Sequence, residues 1–142
     1  VGDPSWRAVE FSPGADEAPI VGIRIADAYR ADFEAAGSLQ PLVIDGEESK
    51  EWFLFLVEEV VDCLNTEESS EPEWNGVIRK AVFTADAVPV NLPAFRVPQS
   101  TKLFWNKWMV DRLLDEAGVD IEARLIWSQD PSRTPHPDPW GF

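Results

Sequence analysis

The chain is nearly empty of the side chains that carry most covalent and metal chemistry: its 142 residues hold one cysteine, Cys63, and one histidine, His136. A lone cysteine excludes an internal disulfide and a zinc site built of cysteines. Its neighbour Asp62 and the apolar segment around it both disfavour a thiolate, so Cys63 reads as an inert core thiol rather than a nucleophile. His136 lies between Pro135 and Pro137. A general base needs a rigid, oriented setting, and a proline-flanked histidine reads instead as a surface residue.

Long hydrophobic runs are missing as well. The longest, 52–57, has six residues, far short of the roughly 20 that cross a bilayer as a helix. Nor is there a basic leader followed by an apolar stretch, so the expectation is a soluble, cytoplasmic protein without a membrane partner. Phosphate loops, dinucleotide fingerprints, paired-histidine zinc helices and twelve-residue calcium loops are all lacking. The expected cofactor and metal are therefore none, and the expected catalytic residues none.

Basic residues are scarce in one half. Residues 1–74 carry 18 acids against 4 bases, whereas residues 75–142 carry 8 of each, so the whole net charge of −14 resides in the first half. Such a field repels nucleic acid and anionic lipid and draws in basic proteins. The plainer reading is an acidic surface that serves solubility.

What the chain has is aromatic and aliphatic bulk: 44% apolar residues, with seven Trp and eight Phe, enough for a core in a chain of this length. The opening segment, broken by Pro4, Pro13, Gly14 and Pro19, reads as an edge strand and loop. Helical spacing of Ile25, Ala28, Tyr29, Phe33 and Ala36 predicts one helix over 25–37 with Gly37 as its stop. Strands are predicted at 39–46, ending in an Asp-Gly turn, at 51–57 and at 60–64. Further strands are predicted at 77–83, 94–98 and 121–127, with an extended piece at 102–105. Asn106 is placed to cap a helix that Gly118 ends, with Trp108, Met109, Leu113 and Ala117 on one face. A few helices among mostly non-alternating strands predict a single α+β domain over 1–127, its mixed or mainly antiparallel sheet covered by two or more helices. Residues 128–142, with four prolines in fifteen, are expected to run as an extended tail.

Between the strands lies residues 65–76, rich in Glu and Ser and without aliphatics. Its carboxylates lack the Asp/Asn alternation and central Gly that fold a chain around calcium. Carboxylate pairs for hydrolysis can be drawn between almost any two of 26 acids, so that pattern carries no information. Contact with a partner is the remaining use. Glu67, Glu68, Glu71 and Glu73 would supply charge, and Trp74, in a polar stretch, an apolar anchor. Trp140 reads as folding back on its own domain. Asp62 and Ser69 read as side chains that bond local backbone, and Arg96 as pairing with an internal acid.

The progression FLFLVEEVVDCLNTEES, VIRKAVF, AFRVP and KLFWNKWMVDRLLDEAGVDIEARLIW resembles a bacterial family of immunity proteins from polymorphic toxin systems. Asp62, Leu64, Glu67 and Ser69 match an acidic segment of that family, with Asn65 in place of its second Asp. Phe95 and Arg96 match its following strand, and Ala117 and Gly118 its helix end, so that the likeness covers 39–127. The resemblance implies a protein without catalysis of its own that binds a cognate toxin domain, one with an electropositive active site, and blocks it. Two other classes stay open: a different acidic interaction or adaptor module, such as a nucleic-acid mimic that binds a basic regulator encoded elsewhere, and a carboxylate-based hydrolase, which would show turnover lost on changing one acid.

Overall fold

The bulky segment around Phe53 and Phe55 becomes an inner strand of a sheet, with Phe55 and Val57 buried on one face while Leu56 on the other stays exposed. The computed structural model of the chain describes residues 11–12, 18–117 and 123–137. Within them β1 (Phe11–Ser12), β2 (Ile20–Gly22), β3 (Gly37–Ile44) and β4 (Glu47–Val57) form an antiparallel sheet in the order β1-β2-β4-β3. The strand β4 is thus flanked on both sides, with Phe55 opposite Leu39 and Val21 opposite Phe53.

One helix was predicted over 25–37, and two short ones stand there: α1 (Ile23–Ala28) and α2 (Arg30–Ala36). The backbone departs from helix at Tyr29 (φ −126°, ψ 26°), although the amides of Tyr29 and Phe33 still bond the carbonyls of Ile25 and Tyr29 across the kink. Tyr29 is held there from outside its own helix. Its hydroxyl donates to Glu116 Oε1 at 3.3 Å, and the Arg112 guanidinium lies 5.9 Å from its ring centre.

The expected stop at Gly37 occurs by a different device from a left-handed cap. Gly37 is extended (φ 175°) and already the first residue of β3, and a Cβ there would sit 1.8 Å from the Leu56 carbonyl oxygen. Close approach of two backbones, not a positive φ, requires glycine. The Asp-Gly turn is as predicted: Asp45 and Gly46 have φ of 51° and 81°, the left-handed pair that joins tightly twisted strands.

Beyond β4 the expected ladder largely dissolves. Segment 60–64 keeps two isolated bridge pairs, Val60 with Arg96 and Leu64 with Phe83, and 77–83 shares only the second. Side chains have taken the place of the ladder: the hydroxyl of Ser69 binds both the amide and the carbonyl of Val82, at 2.9 and 3.1 Å. A short pair, β5 (Ala94–Phe95) and β6 (Phe104–Trp105), follows, and then α3 (Lys107–Ala117). Asn106 does precede this helix, its carbonyl accepting from the Met109 and Val110 amides, while its side-chain amide ties down the carbonyls of Pro89 and Leu92. Of the strand predicted at 121–127, the described residues 123–127 are irregular; Gly118 and Trp140 lie outside the described residues. Residues 130–133 form a turn closed on Asp130, and the His136 amide returns to the Leu125 carbonyl at 2.8 Å.

The result is an α+β domain with antiparallel sheets. Its apolar interior has two centres. In the first, α1, α2 and α3 cover one face of the sheet: Phe33 and Phe55 pack edge-on at 4.8 Å, surrounded by Val21, Ile25, Met109 and Leu113. Ion pairs from Arg24 to Glu116 and from Arg112 to Asp32 (3.0 Å) tie α3 to α1 and α2. The second centre is built by loops and the short β5–β6 pair around Phe83, whose ring lies 5.2 Å from Phe104, 5.6 Å from Trp127 and 6.0 Å from Phe95. Cys63, Ile78 and Val97 complete it.

Candidate functional site

Residues 65–76 leave the second centre at Leu64 and return to it at Ile78, so the acidic segment is a loop pinned at both ends by buried side chains. Its first turn forms because Asn65 supplies the acceptor that the backbone lacks: Oδ1 receives the amides of Glu67 and Glu68 at 3.1 and 3.2 Å. The Asn65 side-chain amide in turn donates to Glu68 Oε2 at 3.1 Å, and the Ser69 amide closes the turn on the Asn65 carbonyl. Ser69 and Ser70 then stitch the loop to 80–82, the amide of Ser70 donating to the Lys80 carbonyl and that of Lys80 to Ser70 Oγ, both at 2.9 Å.

The second half of the loop is a tight turn. Gly76 has φ of 84°, its amide donates to the Glu73 carbonyl, and the amide of Val77 is received by Asn75 Oδ1 at 3.1 Å. Ser100 Oγ donates to the Gly76 carbonyl and accepts from the Lys102 amide, which locks the turn against 98–102. Trp74 stands at the tip with 97% of its surface exposed. Between this tip and the facing turn runs an open groove of about 360 Å³, walled by Pro72, Glu73 and Trp74 on one side and Pro98, Gln99 and Thr101 on the other.

The five residues singled out from sequence therefore share one loop but not one role. Glu67, Glu68 and Glu71 are exposed. Glu68 is engaged by Asn65, and Glu73 is bound by Arg79 Nε at 2.9 Å, so its charge is partly answered within the loop. Glu67 and Glu71 have no cationic partner among the described residues. The far wall of the groove was not singled out at all. Its signal was the Pro-Gln-Ser-Thr run after the strand at 94–98, a turn-forming composition that carries no hint of what it will face.

Two neighbouring side chains act structurally. Arg96, expected to pair with an acid, donates to main-chain carbonyls: Nε to Val57 at 3.1 Å and Nη1 to Thr101, joining the end of β4 to the groove's far wall. Asp62 accepts from Gln99 Nε2 at 3.4 Å rather than from backbone, whereas Ser69 does bond backbone, thirteen residues away. Gln99 Oε1 is buried with no hydrogen-bond partner among the described residues, a cost of about 1–3 kcal/mol at the groove wall. Burial pushes the Cys63 thiol up to about 11, with the Asp62 charge adding to it, so the thiol is neutral at ordinary pH.

Chemically the arrangement offers exposed carboxylates, an indole and a groove edged by prolines. Among the described residues no group of three or more His, Cys, Asp or Glu side chains is placed to hold a metal ion, and no helix is long and apolar enough to cross a membrane. Compared with known proteins, the chain matches no family model, no curated protein and no solved structure.

Proposed function

We propose that this protein is a binding module that captures and blocks a basic partner protein, in the manner of the toxin-neutralising immunity proteins its sequence resembles. The observation that carries the reading is Trp74: a large apolar ring, 97% exposed, held out on a loop whose turns are fixed by Asn65, Ser69, Ser70 and Ser100. A fixed loop loses little conformational freedom on binding, so an exposed indole there is an anchor already in position. The exposed carboxylates of Glu67 and Glu71 lie on the same loop, with no cationic partner among the described residues, and would steer Lys- and Arg-bearing surfaces toward it.

The test is capture of the C-terminal domain of a secreted protein encoded beside this one, followed by titration calorimetry at rising salt. The expected result is a one-to-one complex that weakens with salt, loses affinity by roughly tenfold or more on Trp74→Ala, and loses its salt dependence when Glu67, Glu68, Glu71 and Glu73 are all changed to Lys. Unchanged affinity and salt dependence in that quadruple variant would sink the assignment of the loop.

A further inference from the structure

We propose that the distal end of the β3–β4 hairpin is a second docking element, whose outer β3 edge takes an extended, Lys- or Arg-bearing segment of a partner protein. The hairpin is two structures in one. Near the core, β3 and β4 pair residue for residue from Gly37 with Val57 to Pro41 with Phe53; beyond that, pairing resumes only at Val43 with Glu48 and Ile44 with Glu47. A single residue of β3 there faces four of β4, and Ser49 Oγ fixes the resulting bulge by accepting the amides of Glu51 and Trp52 at 3.1 and 3.0 Å. The tip past the bulge is therefore a short, independently held ribbon rather than a continuation of the sheet.

Its side chains are arranged against the ordinary economy of burial. Val43 and Ile44 are consecutive, so they point to opposite faces, yet they are 66% and 50% exposed: neither face of the ribbon rests on the body of the protein. A partner covering only one face would leave one of the two in water. A strand laid along the edge of β3 can pack beside both and also supplies main-chain partners. Among the described residues β3 is the edge of its sheet, and Pro41, which has no N–H to give, fits such a position.

Charge selects the occupant. Asp45, Glu47, Glu48 and Glu51 follow the apolar pair in the hairpin, with Lys50 the one base within 43–51, and all five are exposed. A second copy would set these acids against their own kind, whereas a segment alternating basic and apolar residues meets both features. This element does not depend on the acidic loop, which follows the opposite end of β4, about 30 Å along the strand at ~3.3 Å per residue.

The experiment titrates the full isotope-labelled chain with a short synthetic peptide of alternating lysine and valine, followed by amide shifts. The expected result is saturable shifts at Leu42, Val43 and Ile44, weakened roughly tenfold by Val43→Thr with Ile44→Thr or by Glu47→Lys with Glu48→Lys, and weakened by salt. A matching peptide with proline at alternate positions, which cannot complete a ladder, should not bind. Shifts confined to 65–76, equal binding of a glutamate-valine peptide, or a dimer in sedimentation that Ile44→Thr abolishes would each overturn the proposal. The fourfold Lys variant of the acidic loop should leave the hairpin shifts intact, so failure of the loop reading and failure of this one are separable.

Discussion

The two apolar centres of this domain are stabilised by different means. Around Phe55 the backbone satisfies itself: strands pair with strands, helices close on themselves, and side chains are left to pack. Around Phe83 few ladder bonds remain, and Ser69, Ser70, Asn65, Asn75 and Ser100 finish the hydrogen bonding of the main chain. The first centre is regular and, apart from the tip of its β3–β4 hairpin, presents little apolar surface to a partner; the second is irregular and carries an exposed Trp and a groove. Irregular backbone can aim a loop where a strand would have to run straight, and the cost is dependence on a few polar side chains that no neighbour can replace.

The largest way to break the contrast is at the seam of the regular half. Gly37→Ala would drive a methyl group onto the Leu56 carbonyl, and we expect a loss beyond about 4 kcal/mol or failure to fold, read by denaturant unfolding. Phe83→Ala removes the ring that three others touch, for an expected loss of about 3–5 kcal/mol. Hydrogen exchange would sharpen this result: the amides of Asn65, Ser70 and Thr84 should lose protection well before that of Phe55. If the two sets lost protection together, the centres would be one cooperative unit.

Ser69→Ala leaves the amide of Val82 without its partner, while the Val82 carbonyl keeps the Asn65 amide at 2.7 Å, and should cost about 1–3 kcal/mol, whereas Ser69→Thr keeps the hydroxyl and should recover part of it. The Cys63 thiol gives a smaller, pH-dependent effect. Its folded value of about 11 lies above the value of about 9 for an unburied thiol, so the unfolded chain ionises first. Stability is unaffected below about pH 9 and falls as pH rises toward 11; a thiol reagent at pH 8 should label the unfolded chain and spare the folded one. The smallest effect is Trp74→Ala, expected to change stability by less than about 0.5 kcal/mol while removing the proposed anchor, a separation that only a contact residue would show.

Legibility in the sequence followed the same division. The Asp45-Gly46 turn, the strand through Phe55 and the helix carrying Met109 and Leu113 are signalled by local chemistry, because period and turn residues act within a few positions. The single helix over 25–37 failed at Tyr29 because its partners, Glu116 and Arg112, lie more than eighty positions away. Strands at 60–64 and 77–83 were misread because alternation records burial, and here burial was achieved around Phe83 without a ladder. Arg96 was expected to meet an acid, and the contacts that place it include the carbonyls of Val57 and Thr101, since a guanidinium's five donors suit any cluster of acceptors the fold supplies.

By itself the sequence determined the α+β class, the gathering of charge in the first half and the acidic character of 65–76, since composition and short-range periodicity carry these. The tertiary structure alone decided that Trp74 stands clear of the core beside a groove, that Glu73 is answered by Arg79, and that Val43 and Ile44 stay in water. Exposure is a relation between a side chain and segments distant in the chain, and a local pattern cannot encode which of them will arrive to cover it.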